Sequence, residues 1–250
     1  STVTAAGIET LTLNTTGGTD GDITISTLTA AAAETINITG DADLTVSSTL
    51  ATTVETVSAG TSTGDLTLTF GASNVTVTTG SGADTLNFAT TLDELDVIDG
   101  GSGTDTLTVG AINTIGTTLD LDLQVSNIER FTFTEDATSD ANITFDFNGD
   151  YISRFTIGAS STSDDVISFE DLGSGNIDIY YDGESGTADG DTTTFDRSSD
   201  TSSDSADLFL THGSLGTITL NDEETITLDT TASSTEQAVT IVDLDASDAT

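Results

Sequence analysis

Val75-Thr76-Val77-Thr78-Thr79-Gly80-Ser81-Gly82-Ala83-Asp84-Thr85-Leu86-Asn87 is the stretch whose reading decides the fold. It opens with apolar residues and threonines in alternation, turns on two glycines, and resumes the alternation after an aspartate. Alternation at period two places one set of side chains on each face of a strand. Threonine is β-branched yet polar, so it suits the solvated face. Downstream, Asp99-Gly100-Gly101-Ser102-Gly103-Thr104-Asp105-Thr106-Leu107-Thr108 repeats the same turn followed by the same strand.

The alternation extends along the whole chain. It recurs at Leu11-Thr12-Leu13, Ile23-Thr24-Ile25 and Leu66-Thr67-Leu68-Thr69-Phe70, then at Phe131-Thr132-Phe133, Ile143-Thr144-Phe145 and Ile218-Thr219-Leu220. Ile177-Asp178-Ile179-Tyr180 keeps the period with Asp in place of Thr. The runs are short and end in Gly, Asn, Asp or Ser, which predicts an all-β solenoid, sandwich or barrel. Helix is scarce; Leu28 to Glu34 is at most a turn or two. A repeat lies beneath the alternation: Glu followed by an x-φ-x-φ strand, φ being apolar, at Glu9, Glu34, Glu55 (degraded), Glu129 and Glu224. The first three are 25 and 21 residues apart, a spacing that coils of a solenoid produce.

Composition shifts near residue 125. Before it the chain is rich in Thr, Ala and Gly; after it come nearly all the aromatics, from Phe131 to Phe209. The expected architecture is therefore a parallel β-solenoid, β-roll-like, over residues 1–125, continuing over 126–250 into an aromatic-richer β-solenoid or a β-sandwich. The acidic stretch from Asp182 to Asp207, with Phe195 its only large apolar residue, reads as a long surface loop or insertion.

Charge excludes several functions. Lys+Arg number 3 against 43 Asp+Glu, for a net charge of −40 over 250 residues, and the basic residues are Arg130, Arg154 and Arg197. Nothing is available to neutralise nucleic-acid phosphates or to dock on anionic lipid. Cys is absent, which excludes disulfides and thiolate metal sites. No apolar run approaches the roughly 20 residues that span a bilayer, so no direct membrane insertion is expected. The chain starts mid-pattern at Ser1 without a Met and reads as a piece of something longer. High charge with few aromatics is also the signature of disorder. Against it stand the 34% hydrophobic content, the absence of Pro, and the order of the apolar residues.

The chemistry sits in the two glycine turns. Gly100 to Thr108 matches the nonapeptide Gly-Gly-x-Gly-x-Asp-x-φ-x in full, and Thr79 to Asn87 lacks only the first Gly. Glycines let the backbone turn carbonyl oxygens inward through conformations that a Cβ would obstruct. The Asp supplies the anionic oxygen that a hard cation prefers. Asp84 and Asp105 are 21 residues apart, close to the roughly 18 of a coil of two nonapeptides, so the turns should stack on one edge. A calcium ion between them could take both carboxylates with carbonyls of Gly80, Gly82, Gly101 and Gly103. Asp99, Asp41 and Asp43 are further candidate ligands, which makes several calcium ions the expectation. Asp20/Asp22, Asp93/Asp96/Asp99, Asp146/Asp150, Asp164/Asp165 and Asp182/Glu184/Asp189/Asp191 are other acidic turns, none with EF-hand spacing, each either a ligand group or solvated surface acid.

The run from Val75 to Leu86, followed by Asp99 to Leu107, resembles the RTX-type surface-layer proteins of Gram-negative bacteria. Ile36-Asn37-Ile38-Thr39-Gly40-Asp41-Ala42-Asp43-Leu44-Thr45-Val46 is similar to a recurrent strand-turn in the same proteins, and the resemblance covers roughly residues 8–110. It implies secretion through a type I system, folding outside the cell on calcium, and assembly into a two-dimensional lattice at the cell surface. Self-association through calcium-bridged contacts is the expected partnership, with any surface polysaccharide left to flanking regions. The alternatives are an RTX adhesin or biofilm-matrix module, and the calcium-binding part of a polysaccharide-active enzyme. Catalysis is not expected. The only histidine, His212, stands without a Gly-x-Ser-x-Gly elbow, and Trp, a frequent sugar platform, is absent.

Overall fold

The structure is a computed structural model that describes residues 1–17, 21–71, 74–110, 119–134, 142–158, 166–182, 192–199, 201–210, 217–230 and 243–245. The chain divides into two compact units, Ser1–Val109 with Gln124–Glu129, and Gly110–Leu123 with Arg130–Thr250. Every regular element among the described residues is a β-strand. His212, Asp20, Asp164, Asp165, Glu184, Asp189 and Asp191 lie outside the described residues.

In the first unit one wall is the row β2 (Thr10–Asn14), β5 (Thr35–Gly40), β7 (Thr56–Ser62), β9 (Thr76–Thr78), β11 (Val97–Asp99) and β14 (Gln124–Ser126). The other wall is β3 (Ile23–Ile25), β6 (Leu44–Val46), β8 (Leu66–Thr69), β10 (Thr85–Ala89) and β12 (Thr106–Val109). β1 (Thr2–Thr4) pairs with β4 (Thr27–Thr29). All these pairs are parallel, with each coil giving one strand to each wall: a parallel β-solenoid. The glutamate repeat marks the coils. Glu34 donates its N–H to the Glu9 carbonyl at 2.8 Å, Glu55 to Glu34 at 2.9 Å, and Thr76 to Glu55 at 2.8 Å.

Alternation decides what is buried. Ile36, Ile38, Val57, Val77 and Ile98 face inward from one wall, and Leu44, Leu66, Leu68, Leu86 and Leu107 from the other, each 1% exposed or less. Burying each such side chain contributes roughly 1.5–3 kcal/mol. Leu28 to Glu34 forms no helix: Leu28 lies in β4, and a tight turn follows, closed by the Ala33 N–H on the Ala30 carbonyl at 2.9 Å. The pull of the coil wins there, because Glu34 must reach Glu9.

The second unit repeats the arrangement with larger side chains. One row is β15 (Arg130–Thr134), β17 (Arg154–Gly158), β19 (Asn176–Asp182), β21 (Ser205–Leu210) and β23 (Thr225–Thr230). The other is β13 (Leu119–Asp122), β16 (Asn142–Asp146), β18 (Val166–Leu172), β20 (Thr192–Arg197), β22 (Thr217–Leu220) and β24 (Asp243–Asp245). Its pairs too are parallel, so this half is a β-solenoid and not a β-sandwich. Parallel register places like residues over like. Phe145, Phe169 and Phe195 align in successive coils and stack at 5.6 and 5.0 Å, while Phe131 meets Phe145 edge-on at 5.1 Å.

The stretch from Asp182 to Asp207 is not one long surface loop. It contains β20, which buries Thr193, Phe195 and Arg197, and the start of β21. Thr192 to Arg197 alternates like every other strand; Thr at an inward position hides the pattern from a hydrophobicity reading. Arg197 is held by a buried ion pair, its Nη2 2.7 Å from Glu223 Oε1, and donates to the carbonyls of Gly173 and Gly175 at 2.5 and 2.8 Å.

Candidate metal centre

The nine candidate ligands fall on one edge of the first unit, where each coil turns from the first wall to the second. Asp41 and Asp43 lie between β5 and β6, Gly80, Gly82 and Asp84 between β9 and β10, and Gly101, Gly103 and Asp105 between β11 and β12; Asp99 ends β11. Stacking is set by main-chain bonds: Thr79 N–H to Asp99 carbonyl at 2.9 Å, Ser102 N–H to Gly80 carbonyl at 2.8 Å, and Ser81 N–H to Ser62 carbonyl at 3.0 Å.

The glycines serve this stacking. Gly101 has φ of +80°, and a Cβ on it would run into the Gly80 carbonyl oxygen. A Cβ on Gly80 would run into the Ser62 carbonyl oxygen one coil earlier. Gly82 and Gly103 form a second column of the same kind above Gly64. The Gly80 carbonyl expected to face a cation thus accepts a coil-to-coil hydrogen bond.

The carboxylates form a ladder. Asp84 Oδ1 accepts the Leu66 N–H at 2.7 Å, Asp105 Oδ1 the Asp84 N–H at 2.7 Å, and Glu129 Oε2 the Asp105 N–H at 2.8 Å. Asp43 and Asp65 reach the other way, to the N–H of Asp65 at 2.8 Å and of Ala83 at 2.6 Å. Asp99 Oδ1 caps the full nonapeptide turn through the Gly101 N–H at 3.0 Å and the Asn127 side-chain amide at 2.7 Å. Asp41 Oδ1 accepts the Gly17 N–H at 3.3 Å.

Two rungs stand apart. Asp84 is 1% exposed and Asp105 0%, and the Oδ2 of each is buried without a hydrogen-bond partner. Asp105 Oδ2 lies over Gly100, where a Cβ would sit 3.0 Å from it. Burial pushes the Asp105 carboxyl up to about 7, with the charges of Asp84, Glu129 and Asp65 adding to the rise and the Asp84 amide opposing it. Burial raises Asp84 as well, with the charge of Asp65 adding to the rise, against the pull of the Leu66 amide and of the nearby Thr79 hydroxyl and Gly80 amide. Charges one coil apart, about 5 Å, repel by roughly 3 kcal/mol at an effective dielectric of 20. The orphaned oxygens are therefore where positive charge would be most effective. They fit a hard cation, and the donor set is all oxygen. Among the described residues no three His, Cys, Asp or Glu side chains converge on one point, so carbonyls or water would have to complete the shell.

Asp65 and Glu129 belong to this ladder too, although neither stands in a nonapeptide turn. Asp65 precedes Leu66-Thr67-Leu68 much as Asp84 precedes Thr85-Leu86, but its turn, Thr63-Gly64, lacks the nonapeptide glycines. Glu129 follows Asp105 by 24 residues, a wider spacing than the one used to pair the turns. Asp96, another buried acid, is fully engaged: its Oδ1 accepts the Val75 N–H at 2.8 Å and its Oδ2 the Asp93 N–H at 2.9 Å. It closes a corner.

The chain matches no protein-family profile, and neither a curated protein nor a solved structure is significantly similar to it.

Proposed function

We propose that the chain is a secreted, calcium-dependent structural protein of a bacterial cell surface, without enzymatic activity, that assembles with copies of itself into a surface-layer lattice of the RTX type. The observation that carries the reading is the pair of buried carboxylates Asp84 and Asp105. Each spends one oxygen on the solenoid backbone and leaves the other without a partner, in a chain of net charge −40. Burying unneutralised carboxylates opposes folding.

Asp84 and Asp105, with carbonyls of the glycine turns, would hold calcium, which when bound supplies the positive charge these oxygens lack. The protein's own residues do the remainder: Asp99 fixes the turn, the glycines bring the coils together, and the inward Leu, Ile and Phe side chains close the core. Calcium modules outside the cell bind at roughly 10⁻⁴ to 10⁻³ M, weak enough to leave the chain unfolded before export.

Circular dichroism with chelator tests this directly. The β signal should fall in chelator and return with calcium. Asp84→Asn and Asp105→Asn should each weaken the calcium response, and the double variant should lose about as much as either alone, because both serve one ion. A spectrum and melting point unchanged by chelator would overturn the reading.

A further inference from the structure

All three basic side chains of the protein, Arg130, Arg154 and Arg197, fall in the second unit, and the first unit contains no Lys or Arg. Arg130 and Arg154 are register partners that reach solvent, whereas Arg197 is buried. Arg197 ends β20, and the corner that follows leads into β21. At that corner the carboxylate ladder of the first unit has a counterpart. Asp204 immediately precedes β21 as Asp84 precedes β10, and Glu224 immediately precedes β23. The bonds correspond as well. Asp204 Oδ1 accepts the Gly175 N–H of the preceding coil at 2.8 Å, and Glu224 Oε2 accepts the Asp204 N–H at 2.9 Å. Gly173 approaches the coil before it as Gly80 and Gly101 do: a Cβ on it would sit 2.9 Å from the Gly149 carbonyl oxygen.

What differs is the cation. Besides the bonds to Gly173 and Gly175, Arg197 donates Nη2 to the Ser205 carbonyl at 3.4 Å and Nε to Glu223 Oε1 at 2.8 Å. A guanidinium is permanently charged and presents its N–H groups in a rigid fork. It gathers carbonyl and carboxylate oxygens around one positive charge, which is what a bound hard cation does with its coordination shell. Asp204 shows the effect. It is 1% exposed, as Asp84 is, but its Oδ2 accepts the Thr201 N–H at 2.9 Å, whereas Asp84 and Asp105 leave theirs orphaned. Burial pushes the Asp204 carboxyl up, yet the Gly175 amide, the Thr201 hydroxyl and amide, and the Arg197 charge bring it below its ordinary value. Glu223 keeps its Oε2 without a hydrogen bond, but Glu223 is the arginine's own counter-ion. The first unit sets Asp65, Asp84, Asp105 and Glu129 in file with no basic side chain among them.

We propose that Arg197 is a built-in cation that holds the acidic turn edge of the second unit as calcium would hold that of the first, so that withdrawing calcium opens the first unit and leaves the second folded. The contrast between the units rests on the calcium reading; the second unit's independence of the ion does not. The loss of β signal in chelator is then the first unit's alone, and a folded remainder persists.

Hydrogen exchange read by mass spectrometry tests it on the full chain, folded in calcium and then transferred to EGTA at pH 8. Opening of one unit exposes the amides of that unit only, so each peptide reports separately. In EGTA the amides of β8, β10 and β12 should exchange at least tenfold faster than in calcium, and those of β19, β21 and β23 within about twofold of their rate in calcium. Arg197→Met keeps a long side chain but removes the charge and the donors. In EGTA it should make β19 and β21 exchange at least tenfold faster than in the parent. In calcium its β8, β10 and β12 should match the parent, which guards against general misfolding of the variant. Equal loss of protection in both units of the parent would overturn the proposal and leave the calcium reading standing. Protection kept by both units in EGTA would overturn the calcium reading, and the contrast with it. An Arg197→Met variant whose β19 and β21 stay as protected in EGTA as the parent's would show that the guanidinium does not replace the metal, and the proposal would fall.

Discussion

Asp84 donates its backbone N–H to Oδ1 of Asp105 at 2.7 Å, which locks two carboxylates one coil apart while the second oxygen of each stays buried and unpartnered. An acid held this way is penalised in the folded state for as long as it is ionised. With the folded value of Asp105 raised to about 7 from an ordinary 3.8, the penalty is full above 7 and disappears as pH falls from 7 toward 4. The calcium-free protein should therefore gain stability between pH 8 and pH 5, against the usual acid trend. Asp105→Asn keeps the acceptor for the Asp84 amide but removes the charge. It should stabilise the calcium-free protein at pH 8 by a few kcal/mol, a pKa unit being worth about 1.4, and flatten the pH dependence. Melting curves in chelator from pH 5 to 8 decide it; a parent protein that loses structure steadily on acidification in that range contradicts the mechanism.

The glycine columns give a sharper structural test. Gly7 and Gly101 have similar backbone angles, φ +73° and +80°, but a Cβ on Gly7 would meet open space and one on Gly101 the Gly80 carbonyl. Gly7→Ala should cost about 1–2 kcal/mol, the price of a left-handed alanine. Gly101→Ala carries that strain and must also push two coils apart, so it should cost several kcal/mol more and weaken the β signal. Urea midpoints measured in calcium compare the two; equal losses would mean that the coils are not in contact at Gly101.

How far the sequence is legible follows from what each pattern encodes. Leu66-Thr67-Leu68-Thr69 and Phe131-Thr132-Phe133 name their faces outright, because period two separates core from solvent at each residue. The spacing of Glu9, Glu34 and Glu55 reports the coil length, and the structure stacks the three. Solenoid and sandwich could not be told apart in the second half, because alternation is common to both and only parallel register distinguishes them. β20 is hidden because it buries two polar residues: Thr193, whose hydroxyl meets the Tyr181 hydroxyl, and Arg197, which becomes interior only when Glu223, 26 residues on, supplies a partner. The glycines of the nonapeptides were legible as turns, but their close approach to the preceding coil was not. That contact is made between residues about 20 positions apart, and no local motif states it.

The Arg197–Glu223 pair makes a separate prediction. Both side chains are 1% exposed, and Glu223 Oε2 has no hydrogen-bond partner. Burial pushes Glu223 up to about 7, with Arg197 opposing the shift. Removing the arginine alone strands a buried carboxylate, so Arg197→Ala should destabilise the protein by about 3–5 kcal/mol at pH 8. Replacing both, Arg197→Met with Glu223→Leu, should cost much less, although the carbonyls of Gly173 and Gly175 lose their donor. Chemical denaturation of the parent, the single and the double variant supplies the comparison. A double variant as damaged as the single would show that those carbonyl bonds, not the charge pair, are what the fold needs.

Assembly is the last expectation, and charge arithmetic shapes it. A chain with 43 acids and 3 arginines cannot tile a lattice through complementary salt bridges between copies. Contacts must be apolar, hydrogen-bonded through threonine and backbone edges, or bridged by a cation. A divalent ion accepts oxygens from either side of a contact, so it supplies attraction and register together. Exposed acids such as Asp41, Asp43 and Asp65 on the turn edge, and Asp122 and Asp171 in the second unit, are available for it. Sodium also screens repulsion, with a Debye length of about 8 Å at physiological ionic strength, so bridging has to be separated from screening. Ordered sheets or filaments should form in millimolar calcium and fail to form in sodium chloride of matched ionic strength, as seen by negative-stain electron microscopy and sedimentation. Asp41→Asn with Asp43→Asn, which spares the buried pair Asp84 and Asp105, should raise the calcium concentration needed for assembly while leaving the melting temperature in calcium nearly unchanged. Equal assembly in sodium alone would leave screening sufficient and remove the need for a bridging ion.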